Sequence, residues 1–264
     1  MKSGHHDSLR QRERRDPLRG VRVAITGGTS GLGLALVREL AACGAHVAFV
    51  ARDGQRVARI AAATGTHGVI GDVARKDDIH PIALQILGRL GGLDILINNA
   101  SSLGPSPLRP LADTECEDFE VALATNVLGP FRLTRALLGA LAASARDGTG
   151  AVVLNISSDA AINAYAGWGA YGASKAALHH MTRIWHEELA PSGIDFASVD
   201  PGDMDTPLHA QALPDADPAT LQQPADAARV VTAVLAQRLT AARNRRRLPV
   251  DEGARAAGVV AAVR

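Results

Sequence analysis

Aromatic side chains are scarce. Four Phe, two Trp and two Tyr make up 3% of a 264-residue chain of which 47% is hydrophobic. A core must therefore be built from Ala, Val, Leu and Ile, which suits helices packed closely on a parallel sheet. Cysteine is nearly missing too: Cys43 and Cys116 lie far apart in no metal-ligand spacing, so neither a disulfide framework nor a zinc site is expected. There is no excess of one charge, since a net charge of +1 gives no field that would favour nucleic acid or a membrane surface. The chain also lacks a run of about 18 apolar residues, which excludes a transmembrane helix. Residues 1–19 are polar, carry acids as well as arginines, and contain no apolar segment of the kind a signal peptide needs. They read as a flexible arm on a cytoplasmic protein, leaving 20–264 as one domain. His5 and His6 in that arm are too little for a metal site, and the basic run Arg243 to Arg247 reads as a solvated helix end.

What is present alternates strand and helix, at a length that suits one large α/β domain. Val21 to Thr26 reads as a buried strand, followed by a glycine turn and a helix-compatible stretch from Leu34 to Cys43. His46 to Val50 is a strand, Gln55 to Ala63 a helix and Gly68 to Ile70 a short strand before Asp72. A helix from about Ile79 to Arg89 leads to the strand Asp94 to Asn98. Glu117 to Ala143 reads as one long helix, followed by the strand Gly150 to Ile156, a helix from Trp168 to about Ala190 and the strand Ile194 to Val199. Repeated βαβ units predict a doubly wound, Rossmann-like parallel sheet with helices on both faces. Ligands of such sheets bind beyond the carboxyl ends of the strands. Only Leu248-Pro249-Val250 is a candidate for a seventh strand, and Pro249 weakens it.

The chain holds three lysines and two tyrosines, and one of each stands in Tyr171-Gly-Ala-Ser-Lys175. Residues four apart share a helix face. The ammonium is expected to lower the phenol's pKa from its usual ~10, making Tyr171 a proton donor and acceptor near neutrality. A mere surface pair would stabilise the helix by only about 0.2–0.5 kcal/mol. Two other features favour chemistry. Thr26 ends a strand and runs into Gly27-Gly-Thr-Ser-Gly-Leu-Gly33 before a helix, an order that lets backbone approach phosphates and aims a helix N-terminus at them. Ser157-Ser158 ends another buried strand thirteen residues before Tyr171, close enough in the chain for hydroxyl and phenol to meet.

Taken together, these motifs resemble the short-chain dehydrogenase/reductase family over nearly everything from Val21 to about Thr240. The family's Thr-Gly-x-x-x-Gly-x-Gly matches Thr26, Gly27, Gly31 and Gly33, and its Asn-Asn-Ala matches Asn98, Asn99 and Ala100. Its catalytic Asn, Ser, Tyr and Lys match Asn126, Ser158, Tyr171 and Lys175; its Pro-Gly is Pro201-Gly202, with Thr206 at the usual offset. The resemblance implies hydride transfer between a nicotinamide and a carbonyl or alcohol carbon. Tyr171 would exchange the proton, Ser158 hold the oxygen, Lys175 bind the nicotinamide ribose and Asn126 link Lys175 to solvent through water. It also implies a cofactor site formed by Gly27, Thr29, Ser30, Gly31, Leu32 and Gly33, by Asp72 and Val73 at the adenine, by Asn99, Ala100 and Ser101 at the ribose, and by Pro201, Gly202, Met204 and Thr206. Ser101 stands where the family often has Gly, which adds a side chain at the pocket.

Arg52, two residues after Val50, predicts NADP(H) over NAD(H), because guanidinium meets a 2′-phosphate where an acid would meet ribose hydroxyls. The glycine loop lacks the second basic residue common in the family's NADP enzymes, so preference rather than strict selection follows. Residues 203–223 sit where the family has a substrate lid. Trp168, Tyr165 and Met204 are candidates for an apolar wall, Asp159 and His209 for polar contacts, and Asp159, Asp203 and Asp205 for a cationic or polyhydroxylated substrate. The resemblance further implies pairing into dimers or tetramers through the two long helices. Competing readings are an alcohol dehydrogenase working oxidatively, a dinucleotide-sensing binding protein, and a nucleic-acid binder built on Arg243 to Arg247.

Overall fold

The computed structural model describes residues 17–245. Six strands form one parallel sheet: β1 (Arg22–Thr26), β2 (His46–Ala51), β3 (His67–Ile70), β4 (Ile95–Asn98), β5 (Ala151–Ile156) and β6 (Ile194–Val199). Their order across the sheet is β3-β2-β1-β4-β5-β6. The chain walks outward from β1 to β3 and then returns to β4, so the crevice beyond the carboxyl ends of β1 and β4 is the switch point where ligands of such sheets bind.

Strand sequences explain the layering. Along β1, Val23 and Ile25 face one side while Ala24 faces the other, because side chains alternate across a strand. The first face is covered by α1 (Gly31–Ala42), α2 (Gly54–Thr64) and α8 (Pro224–Arg245), through Leu36, Leu40, Val57, Leu235 and Leu239. The second is covered by α3 (Ile79–Leu90), α5 (Gly129–Arg146) and α6 (Gly169–Leu189), through Ile82, Ile86, Leu133, Leu137, Leu141 and the partly buried Trp185. Aliphatic side chains dominate both layers, as the shortage of aromatics requires. Among the described residues, no helix is long and apolar enough to cross a membrane.

The stretch expected to be one helix from Glu117 to Ala143 is interrupted. It comprises α4 (Cys116–Leu123), a π-helical turn at Ala124–Leu128, and then α5. Pro130 has no N–H to offer the carbonyl of Asn126 four residues earlier, so the regular ladder breaks there. Gly129-Pro130 was the available signal.

Two further differences concern the ends of the chain, and one expectation there falls outside the described residues. Leu18, expected in the flexible arm, is 1% exposed and belongs to the first core layer. Arg243, expected at a solvated helix end, donates to the carbonyls of Thr149 (2.8 Å) and Pro17 (3.1 Å). Leu248 to Val250 lies outside the described residues.

Candidate active site

At the end of β1 the backbone turns through Gly27 at φ +72°, a conformation that strains residues bearing a Cβ. A Cβ on Gly33 would lie 2.2 Å from the Gly27 carbonyl oxygen, so only glycine allows this turn to close over the start of α1. The adjacent loop after β4 is tied to it. Thr26 Oγ1 accepts from the backbone N–H groups of Asn99 and Ala100, both at 3.0 Å, and Asn99 Nδ2 donates to the Thr26 carbonyl at 2.8 Å. Ser30 precedes α1 without a side-chain bond to its first N–H groups, which leaves them facing the crevice. Leu32 is buried beneath the loop.

At the end of β2, Arg52 is exposed, and Asp53 caps α2 by accepting from Gln55 and Arg56 N–H. Arg56 was not foreseen at the site. From the first turn of α2, its guanidinium donates to the Thr29 carbonyl at 3.0 Å, which brings a cation against a glycine loop that has none of its own. The signal was its spacing, four residues after Arg52.

Asp72 lies at the end of β3, where its side chain accepts from Ala74 N–H (3.0 Å) and its own N–H donates to Asp78 (2.9 Å); Val73 is buried. Beyond β6, Gly202 turns at φ +75°, with its N–H on Asp200 (2.9 Å). Gln222 Nε2 donates to the Pro201 carbonyl at 2.5 Å, and the Gln222 backbone pairs with Asp203 and Asp205. Thr206 caps α7 (Pro207–Ala212) and stands 3.1 Å from where a Gly31 Cβ would be. Met204, expected in a wall near Tyr171, packs on the first core layer instead. Tyr165 also leaves that wall: it is exposed and donates to Asp159 at 2.6 Å.

On α6, Tyr171 and Lys175 are 7% and 2% exposed. Lys175 Nζ donates to the Ile156 carbonyl at the end of β5 (2.8 Å) and lies 5.4 Å from the centre of the Tyr171 ring. Complete burial pushes Lys175 down to about 8, against a smaller opposing pull from Asp200. Tyr171 runs contrary to expectation. Burial pushes it up to about 12, and hydrogen bonds with Ser158 and Ser101 offset only part of the rise. The ammonium was expected to lower the phenol; instead loss of water around the anion dominates. Ser158 accepts from Ala160 N–H at 3.2 Å and donates to Asp159 Oδ1 at 3.1 Å.

Asn126 is 1% exposed in the π-helical turn. Its amide donates to the Ser102 carbonyl and Ser174 Oγ, both at 2.8 Å, while its carbonyl accepts from Ser102 N–H (2.8 Å) and Ser101 Oγ (3.2 Å). These bonds tie the loop after β4 to α6. Asn126 therefore positions both Ser101 and the helix of Tyr171. Ser101, the departure from the common glycine, contributes a hydroxyl to the phenol.

The site brings to one crevice a glycine turn, an open helix start, two arginines, two serines, a phenol and a buried ammonium. Known proteins are similar to this chain over most of its length. A model of the short chain dehydrogenase family matches residues 22–217. A curated relative, the 2-(R)-hydroxypropyl-CoM dehydrogenase of Xanthobacter autotrophicus, is 34% identical over 195 residues, 71% of this chain and 76% of that one. Among solved structures, the 3-ketoacyl-(acyl-carrier-protein) reductase of Brucella melitensis complexed with NADH superposes with a TM-score of 0.78 at 29% identity, covering 84% of this chain and 93% of that one. A short chain dehydrogenase of Burkholderia cenocepacia in complex with NADP gives 0.73 at 28%, covering 83% and 91%.

Proposed function

Because this chain belongs to the short-chain dehydrogenase family and is an NAD(P)-dependent oxidoreductase of alcohol and carbonyl groups, we propose that it prefers NADP(H) and uses Tyr171 as its acid–base group. The residues fit a dinucleotide: Gly27 and Gly33 keep open a cradle that a Cβ would fill, and the uncapped start of α1 suits a pyrophosphate. Arg52 and Arg56, at the end of β2 and the first turn of α2, would hold a 2′-phosphate. Asp72 and Val73 would border the adenine, Asn99 to Ser101 and Lys175 the nicotinamide ribose, and Pro201, Gly202, Met204 and Thr206 the far side of the nicotinamide.

A nicotinamide held there would supply the hydride that a carbonyl carbon takes up. Tyr171 gives its proton to the carbonyl oxygen, Ser158 and Ser101 orient the phenol, and solvent restores the proton. The closeness of Ser158 and Ser101 to the Tyr171 phenol, with the buried Lys175 beside its ring, carries this reading. We further assign the chain to the cytoplasm and to a homodimer or homotetramer.

Titration of the purified protein with NADPH and NADH, followed by quenching of Trp168 and Trp185, tests the cofactor preference. NADPH is expected to bind at least about tenfold more tightly, as charge-assisted hydrogen bonds of ~1.5–3 kcal/mol imply. Arg52→Ala combined with Arg56→Ala should abolish the difference. Equal affinities in the unsubstituted protein would overturn the preference.

A further inference from the structure

The cover over Tyr171 is apolar and comes from two loops. Leu103 and Leu108 follow β4, Leu208 and Ala212 lie on α7 within the lid, and Ala160 and Trp168 stand beside the phenol. Trp168 meets the Tyr171 ring edge-on, with centroids 5.7 Å apart. Carboxylates stand beside this wall. Asp159 accepts from Ser158 Oγ at 3.1 Å and from the Tyr165 hydroxyl at 2.6 Å. The Tyr165 bond above all holds Asp159 below the usual carboxylate range, so it is ionised at neutral pH. Asp200 and Asp159 both act on Tyr171, and Asp203 acts on Tyr165. Lys175, the cation beside Tyr171, is turned to the Ile156 carbonyl and offers no exposed charge to a substrate.

Resting on the oxidoreductase reading above, we propose that this site selects uncharged carbonyl and alcohol substrates with apolar substituents, and that Asp159 rejects those bearing a carboxylate close to the reacting carbon. A carboxylate placed there would lose water among leucines and face a second carboxylate within a few ångströms, two penalties of the same sign. A neutral substrate meets neither, and its oxygen still reaches Ser158 and Tyr171. The polyhydroxylated substrate that the acids in the sequence also suggested fits less well, because Leu103, Leu108, Leu208 and Ala212 line the wall with nothing to bond a hydroxyl.

The test is NADPH-dependent reduction of matched pairs by the full chain: ethyl acetoacetate and ethyl benzoylacetate against the corresponding free acids. Each pair holds the ketone constant and exchanges a neutral ethyl ester for a carboxylate; the Asp159→Asn variant separates the charge from the lost ethyl group. The esters are expected to show a kcat/KM on the order of a hundredfold above the acids. Asp159→Asn, at an exposed position, should narrow that ratio about tenfold, and because the ratio is internal to each variant it is insensitive to the amount of active protein. Acids reduced as well as esters, or a ratio unmoved by Asp159→Asn, would overturn the inference. If NADPH binds and neither ester is reduced, the selectivity inference falls while the cofactor reading stands. If no dinucleotide binds, the oxidoreductase reading fails and the inference fails with it.

Discussion

A phenol enclosed by Leu103, Trp168 and Leu208 has little water to solvate its anion, and that is why Tyr171 is pushed up to about 12 although two serine hydroxyls bond it. Its neutral form therefore persists through the physiological range. Reduction, which needs the proton, is expected to be nearly flat between about pH 6 and 9, while oxidation, which needs the phenolate, should rise roughly tenfold per pH unit. Rates in both directions across that range check this, and Tyr171→Phe should lower both by on the order of 10²–10⁴ with NADPH affinity retained. Lys175 shows the opposite case. Burial brings it to about 8 from an ordinary 10.5, so between those values the unfolded chain holds a proton that the folded chain has released, and stability rises with pH. Below that window the folded state bears the full penalty of a buried ammonium. Lys175→Met should accordingly raise the melting temperature at pH 7, by about 2–4 °C for each kcal/mol relieved, and flatten the rise between about pH 8 and 10. A variant that melts lower than the parent at pH 7 would refute this account.

At the scale of elements, the site depends on two irregularities. One is the glycine turn before α1. In Gly33→Ala the added Cβ meets a carbonyl oxygen at 2.2 Å and Asn99 Nδ2 at 2.5 Å, and a backbone atom cannot rotate aside. The substitution should destabilise the protein by at least about 1–3 kcal/mol and abolish NADPH binding, which a melt and a titration of the same sample would check. The other is the π-helical turn that seats Asn126 between the loop after β4 and α6. The hydrophobic pattern of Glu117 to Ala143 suits a continuous helix, and its period cannot reveal an inserted residue. Only Gly129-Pro130 marked the break. Arg56 was equally hard to assign, since an arginine four residues beyond Arg52 gains meaning only once α2 turns it onto Thr29.

For the molecule as a whole, the two ends of the sheet do different work. At the amino ends of the strands, Arg22 donates to Asp94 at 2.5 Å and to Ser144 at 3.0 Å. Burial pushes Asp94 up, yet the bonds from Arg22 and Ser144 together hold it below the usual carboxylate range. At the carboxyl ends lie the turn, the arginines and the phenol. Elsewhere, Val121 on α4, Leu128 in the π-helical turn and Ile184 on α6 are exposed. Apolar side chains at such positions suit a closed, symmetric association of copies of this chain. Sedimentation at micromolar concentration is expected to give a dimer or tetramer, and Ile184→Glu should shift it toward monomer. Monomer alone for the unsubstituted chain would remove the expectation.

The sequence alone determined the parallel α/β sheet, because buried strands alternating with amphipathic helices admit few other arrangements. It also identified the glycine turn, Ser158 and the Tyr171–Lys175 pair, since each is a local pattern read within a few residues. Three matters were decided only in the tertiary structure. The proton affinity of Tyr171 follows from how completely α7 and the loop after β4 exclude water, and no neighbour in the chain encodes that. The second arginine at the cofactor crevice comes from a different element than the loop it bonds. The apolar wall beside a carboxylate joins Leu103 and Leu108 to Leu208 and Ala212, residues about a hundred positions apart that meet only when two loops fold over the same phenol.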